Sequence, residues 1–364
     1  MDWGAIRTRY QGWSRGPALV VIAGLLAMLA FACWSPASAP APKTRTSAAQ
    51  HSDLQLYRDI NSGIHAGGNY YEVAARELRK GGYPLKPFFT FRLPTHALFY
   101  GTFGERTMVV VLWLLCAGVI VAWWQRLKDC LPLPLLASAM VLIAGGLGGM
   151  LQPMTGLFHE SWAALLLALM VALYRPDRAW PAIFAGGAAL MVRELALPMI
   201  LAMAGLALIE KRWREAGAWA AVVGLFAAYM TLHAHWVSEV VLPNDQSSQG
   251  WSRMLGLQFA LKSIAKVTFG MRLPGVAAVG LLMLSLFGWA SVRAGWALRV
   301  ALLLAGYAAM LALFARADTF YWALLAAPLS FGGIAFLPKI FADLAIAVRN
   351  RSKSSCPIAQ DGAL

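Results

Sequence analysis

The sequence predicts an all-α polytopic integral membrane protein with about ten transmembrane helices. Three observations carry that expectation. Of 364 residues, 59% are hydrophobic and only 13% charged, where a water-soluble chain carries about a quarter charged residues. The apolar residues fall in long blocks, many near the ~20 residues a bilayer requires. The formal charge of +14 is concentrated in short loops and tails beside those blocks, a distribution that orients helices in a membrane and does not call for a nucleic-acid partner.

The first block spans 17–34, preceded by Arg7, Arg9 and Arg15. Ala37-Ser38-Ala39 resembles a cleavage box, but Pro40 directly after it argues against cleavage, so the segment reads as a retained signal anchor. A Pro/Ala/Ser stretch to Gln50 reads as an extended linker, and the loop that contains it runs from 35 to 107. Within that loop, Asn69 to Lys80 has helical character: Glu72 faces Arg76 at i,i+4, while Tyr70, Ala74 and Leu78 form an apolar side. Gly81-Gly82 ends it. A short amphipathic helix on the membrane surface is expected there. Spans two to seven fall at about 108–124, 132–150, 161–174, 179–192, 195–209 and 216–233. A second polar loop covers 234–273. Its stretch 255–272 reads as an interfacial helix, because Lys262 and Lys266 share one face. Spans eight to ten fall at about 274–290, 297–314 and 319–337, and residues 338–364 form a basic tail. The whole chain is one membrane domain.

With the N-terminus inside, the short inner connections carry Arg126/Lys128, Arg175/Arg178, Lys211/Arg212/Arg214 and Arg293/Arg299, whereas the short outer turns carry only Arg193 and Arg316. This is the positive-inside asymmetry. It places both termini in the cytoplasm, the chain in the cytoplasmic (inner) membrane, and the two long loops on the outer side. The four cysteines, Cys33, Cys116, Cys130 and Cys356, have neither disulfide-framework nor zinc-site spacing.

Ionisable groups at membrane depth are costly unless paired or watered, so their positions are informative. His51, Asp53, Asp59, Arg92 and His96 in the first loop, His159-Glu160, Arg193-Glu194, and Arg316 with Asp318 all fall on the outer side. Four separate regions thus deliver acids and bases to one face, which predicts a polar cavity there. Each also has a plainer role: Glu160 as a helix-start acid, Arg193-Glu194 as a structural ion pair, Arg316 and Asp318 as loop residues. Tyr70, Tyr71, Trp236 and Trp251 suit interfacial anchoring as well as sugar stacking.

The segments SDLQLYRDI (52–60) and NYYEVAARELRKGGYPLKPFF (69–89) resemble the first outer loop of the GT-C class of polytopic glycosyltransferases, which use lipid-phosphate-linked sugars. Short paired spans about Arg193-Glu194 and the Arg-x-Asp-x-x-Tyr segment of Arg316, Asp318 and Tyr321 are similar to that class too. The resemblance implies a GT-C-like fold, a polyprenyl phosphate-linked sugar as donor, and a glycan, lipid or protein acceptor. It places the catalytic acid at Asp53, with Asp59 the rival, and Tyr70-Tyr71 at the start of the surface helix. In such a site Asp53 takes the proton of the attacking hydroxyl, a single displacement inverts the anomeric carbon, and Arg92, Arg193 or Arg316 pairs with the leaving phosphate through a planar fork. Asp53 and Arg193 lead these assignments, and His96, His159, Glu160, Glu194, Asp318, Tyr321, Tyr70 and Tyr71 are secondary candidates. The donor requires no cofactor; no metal ligand is assigned, and a divalent ion is left open. The alternatives are a transporter or flippase for a lipid-linked substrate, or a non-catalytic component of an envelope-assembly complex. No internal repeat favours transport.

Overall fold

In the computed structural model, which describes residues 5–34 and 53–350, the apolar blocks are helical and no β-strand occurs among the described residues. The linker 35–52, with His51, and the tail from 351, with Cys356, lie outside them. In chain order the α-helices are α1 Arg15–Cys33, α2 Asp53–His65, α3 Tyr70–Lys80, α4 Pro94–Leu127, α5 Leu133–Leu147, α6 His159–Leu173, α7 Trp180–Val192, α8 Leu197–Ile209, α9 Trp213–Val240, α10 Gly256–Lys266, α11 Gly275–Ser291, α12 Gly295–Phe314 and α13 Leu337–Arg349. Between α12 and α13 the chain winds more tightly, as 3-10 helix, over Ala317–Leu329 and Gly332–Phe336. Among the described residues, six helical stretches are long and apolar enough to cross a bilayer, and α6, α7, α11 and Glu194–Ile209 are shorter apolar helices. Phe184, Leu225, Val141 and Val20 are each more than 70% exposed, a surface that only a lipid environment covers without penalty. This is a polytopic membrane protein.

The centre of the bundle is α6, whose residues from His159 to Leu165 are all buried. It packs against α4, α7 and the Ala317–Leu329 stretch. Small residues permit the closest approaches. A Cβ placed on Gly288 of α11 would overlap the Gly333 carbonyl, and one on Gly333 would overlap the Ser285 carbonyl. Gly333→Val is therefore expected to abolish recovery of monodisperse protein in detergent, whereas Gly306→Val, with open space around it, is expected to leave recovery unchanged.

Two of the cations expected on the inner side, Arg126 and Arg299, meet at Tyr174. Arg126 donates to the carbonyls of Ala172 and Tyr174, closing the end of α6. Arg299 lies over the Tyr174 ring and donates to its hydroxyl. At that end Thr8 also pairs with Val292 in an isolated bridge and donates to Asp343 of α13 at 2.6 Å.

Several expectations are refined. Residues 53–65, part of the first loop with no element assigned, form α2. Residues 94–107, assigned to the first loop, belong to α4, which breaks at Gly104 (φ +77°). The start of the tail, 338–349, is helical, with Ile340, Asp343 and Leu344 buried against the bundle. Helix α10 keeps Lys262 and Lys266 exposed on one face and buries Leu261 and Ile264 on the other.

Candidate functional site

The site is built first from α2. Leu56 and Ile60 bury one side of this helix against α3 and its surroundings, and Asp53 stands at its first turn, where an acid suits the helix dipole. Four-residue spacing keeps Asp53, Tyr57 and Asn61 on one face, and all three line a cavity of about 1020 Å³. α3 packs beside α2, capped by Asn69, whose side chain accepts from the amides of Tyr71 and Glu72. Tyr70 of α3 donates to the Arg92 carbonyl at 2.6 Å, which fixes the backbone just before α4.

Arg92 is the centre of the cavity wall. Its Nε donates to the Tyr57 hydroxyl at 3.3 Å and its Nη2 to the Tyr321 hydroxyl at 3.1 Å. No carboxylate pairs with it among the described residues. Each phenol accepts from Arg92, so its own O–H remains a donor, and no acceptor for either hydrogen occurs among the described residues. Burial pushes the Tyr57 phenol up, with the Arg92 guanidinium acting in the opposite sense, so this hydroxyl keeps its proton. Asp53 lies within electrostatic reach of both phenols and accepts from the Tyr83 hydroxyl at 2.8 Å. A carboxylate and an unpaired guanidinium with two phenol donors thus share one chamber. That set suits an oxyanion beside a group that loses a proton.

His96, His159, Arg316, Asp318, Tyr321 and Tyr70 also line the chamber. The His96 and His159 rings lie 4.4 Å apart. Arg316 holds Asp318 in a fork, Nε to Oδ1 at 3.0 Å and Nη2 to Oδ2 at 2.9 Å, so its charge is already matched. Arg193, Glu160 and Glu194 do not line it. Arg193 is fully buried and pairs with Glu160 at 2.8 Å and with Glu194, an ion triad joining α6 to the break between α7 and α8. Both glutamates remain within electrostatic reach of Arg92. Asp59 does not line the chamber and accepts from Gln55 at 2.7 Å. Tyr71 turns instead to His233, at 3.2 Å, and to Trp236.

Tyr57, Asn61, Tyr83 and Trp322 were missed by the sequence. The signal for the first two was the four-residue spacing from Asp53, legible only once 53–65 is known to be helical. The connection from α9 to α10 supplies the remaining wall through Gln246, Ser247, Gln249, Trp251 and Arg253. It is held to the first loop by a bridge between Lys86 and Ser247 and by a bidentate pair of Arg79 with Asp245, both bonds 2.8 Å. Hydrogen bonding to Arg79 lowers the Asp245 carboxyl to about 2. An acid depressed below its unfolded value of ~3.9 contributes above that value and loses its contribution as pH falls through about 2. Hydrogen exchange over 242–253 is therefore expected to be insensitive to this pair from pH 8 to 5. Arg79→Ala at pH 7 is expected to raise that exchange about two- to fivefold, in keeping with a partly exposed ion pair.

Among the described residues no group of three His, Cys, Asp or Glu that could hold a metal lies together. No family model matches the chain, and no curated protein or solved structure matches it.

Proposed function

We propose that the protein is a glycosyltransferase that moves a sugar from a polyprenyl phosphate-linked donor to an acceptor hydroxyl at the outer face of the cytoplasmic membrane. In this account the chain crosses the bilayer ten times, in a GT-C-like arrangement, with both termini in the cytoplasm. One observation carries the proposal: Asp53 lines the same chamber as Arg92, which has no carboxylate partner among the described residues. Arg92 and the Tyr57 and Tyr321 hydroxyls hold the phosphate. Asp53 takes the proton of the acceptor hydroxyl as that oxygen attacks the anomeric carbon. The bond to the phosphate oxygen breaks with inversion, and the polyprenyl phosphate leaves with its charge matched by the guanidinium. Arg316 is paired with Asp318 and Arg193 with two glutamates, so Arg92 takes the phosphate role.

The test is transfer of labelled sugar by the purified protein in lipid nanodiscs. Polyprenyl phosphate sugars are supplied as donors, with membrane glycolipid, glycan and peptide extracts as acceptors. Arg92→Gln is expected to lower kcat/KM about 10- to 100-fold, the worth of a charged hydrogen bond. Absence of transfer with every donor, or full activity in R92Q, would count against the proposal.

A second account, transport of a lipid-linked substrate, draws on the buried Glu160–Arg193 pair with the half-buried Glu194 and on the helix breaks at Gly104 and Arg193. Intramembrane charges and discontinuous helices are features transporters use. Translocation of a fluorescent polyprenyl phosphate across proteoliposomes, with no sugar transferred, would favour it.

A further inference from the structure

Beside the Arg92 wall, the mouth of the chamber has a chemistry of its own. Gln246, Ser247 and Gln249, on the connection from α9 to α10, line the chamber and are exposed, whereas Tyr57 and Tyr321 line it and are buried. The phenols thus mark its inner end and the connection its mouth. Trp251 of the same connection also lines the chamber, half-buried, with its ring 5.1 Å from that of Phe89, centre to centre. Backbone pairing fixes where this stretch stands. The Gln246 carbonyl accepts from the Leu85 and Lys86 amides at 2.9 and 3.2 Å, and the Ser248 amide donates to the Lys86 carbonyl at 2.7 Å. Two residues before Leu85, the Tyr83 hydroxyl donates to Asp53. Asp53 in turn stands one helical turn before Tyr57, which accepts from Arg92. The order inward is therefore mouth, Asp53, Arg92.

That order matches what a single displacement demands. The attacking oxygen and its base lie on the face of the anomeric carbon opposite the leaving group. With the phosphate at Arg92, the open face of the donor sugar looks toward Asp53 and the mouth beyond it. The groups at the mouth say what can sit there. The Gln246 side-chain amide takes no part in the backbone pairing, and with the Ser247 hydroxyl it offers both donors and acceptors without charge. The Gln249 amide oxygen accepts from Arg253 at 3.3 Å, which leaves its NH2 as a donor. Trp251 adds a flat apolar face beside them. Ring hydroxyls and the C–H face of a sugar match that pair of surfaces, whereas an alkyl chain would strip water from the amides without replacing its hydrogen bonds. We infer that Gln246, Ser247, Gln249 and Trp251 form the acceptor subsite, and that the acceptor presents a carbohydrate there. This rests on the function proposed above.

The test separates the two. The full chain in nanodiscs loaded with polyprenyl phosphate is offered a panel of fluorescent oligosaccharides and, separately, peptides containing serine and threonine. Wild type is expected to bind at least one oligosaccharide more tightly than any peptide. Trp251→Ala is expected to weaken that binding about tenfold, the scale of one aromatic contact. Gln246→Leu is expected to weaken it about fivefold, the worth of one neutral hydrogen bond. Neither variant is expected to change the affinity for polyprenyl phosphate, which Arg92→Gln weakens. Trp251→Phe, which keeps an aromatic face, is expected to retain part of the oligosaccharide affinity, and unchanged thermal unfolding shows that the variants are folded. Binding of peptides alone, binding of no oligosaccharide, or full oligosaccharide affinity in W251A and Q246L overturns the acceptor assignment while leaving the phosphate site standing. No effect of R92Q on polyprenyl phosphate binding overturns the proposed function beneath it.

Discussion

Asp53→Asn is expected to lower turnover about 10²- to 10⁴-fold, the usual worth of a positioned general base, while the protein remains folded. The substitution keeps the shape of the side chain, and an amide oxygen still accepts the Tyr83 hydroxyl bond of 2.8 Å. Asparagine is also well suited to the start of a helix, so α2 should persist. The lost property is the capacity to take a proton. Asp59→Asn serves as the control, because Asp59 lies off the chamber and accepts from Gln55 on its own helix. An inactive D59N together with an active D53N would overturn the assignment of the base.

The second large effect is on stability. Arg193→Ala is expected to destabilise the protein by about 3–5 kcal/mol, because it leaves the buried Glu160 carboxylate without its cation. Arg193 and Glu160 are both fully buried and 2.8 Å apart, and Glu194 completes the triad. Thermal unfolding in detergent measures this. Replacing both fully buried partners, Glu160→Gln with Arg193→Met, should recover part of the loss, since an uncharged pair carries no unmatched charge. An R193A protein of unchanged stability and lost turnover would return Arg193 to the phosphate site.

The membrane architecture was legible because its physical signal is strong: each apolar block must satisfy its backbone internally, which makes it a helix. The α3 helix was also legible, from the Glu72–Arg76 spacing and the terminating Gly81-Gly82. The α2 helix was not, although Leu56, Ile60 and Ile64 repeat every four residues, because a polar loop after a Pro-rich linker suggests irregular chain. That one omission hid Tyr57 and Asn61. Asp53, Arg92, His96, His159, Arg316 and Tyr321, assigned to one face in the sequence, line one chamber. Sequence reasoning put Arg193 first beside Asp53, whereas Arg193 is buried between Glu160 and Glu194 and does not line the chamber. Arg92, Arg193 and Arg316 are alike in sequence, and only their partners distinguish them: two phenols for Arg92, two glutamates for Arg193, and a neighbouring aspartate for Arg316.

The phosphate-binding role proposed for Arg92 is the step on which the proposed transfer depends. Its most direct test is an electron cryomicroscopy structure of the protein in nanodiscs with a bound polyprenyl phosphate. The expected result is a phosphate at ~3 Å from the Arg92 guanidinium, flanked by the Tyr57 and Tyr321 hydroxyls, with the Asp53 carboxylate facing the same chamber. A phosphate bound at another cation, with the chamber of Arg92 and Asp53 empty, would contradict the account.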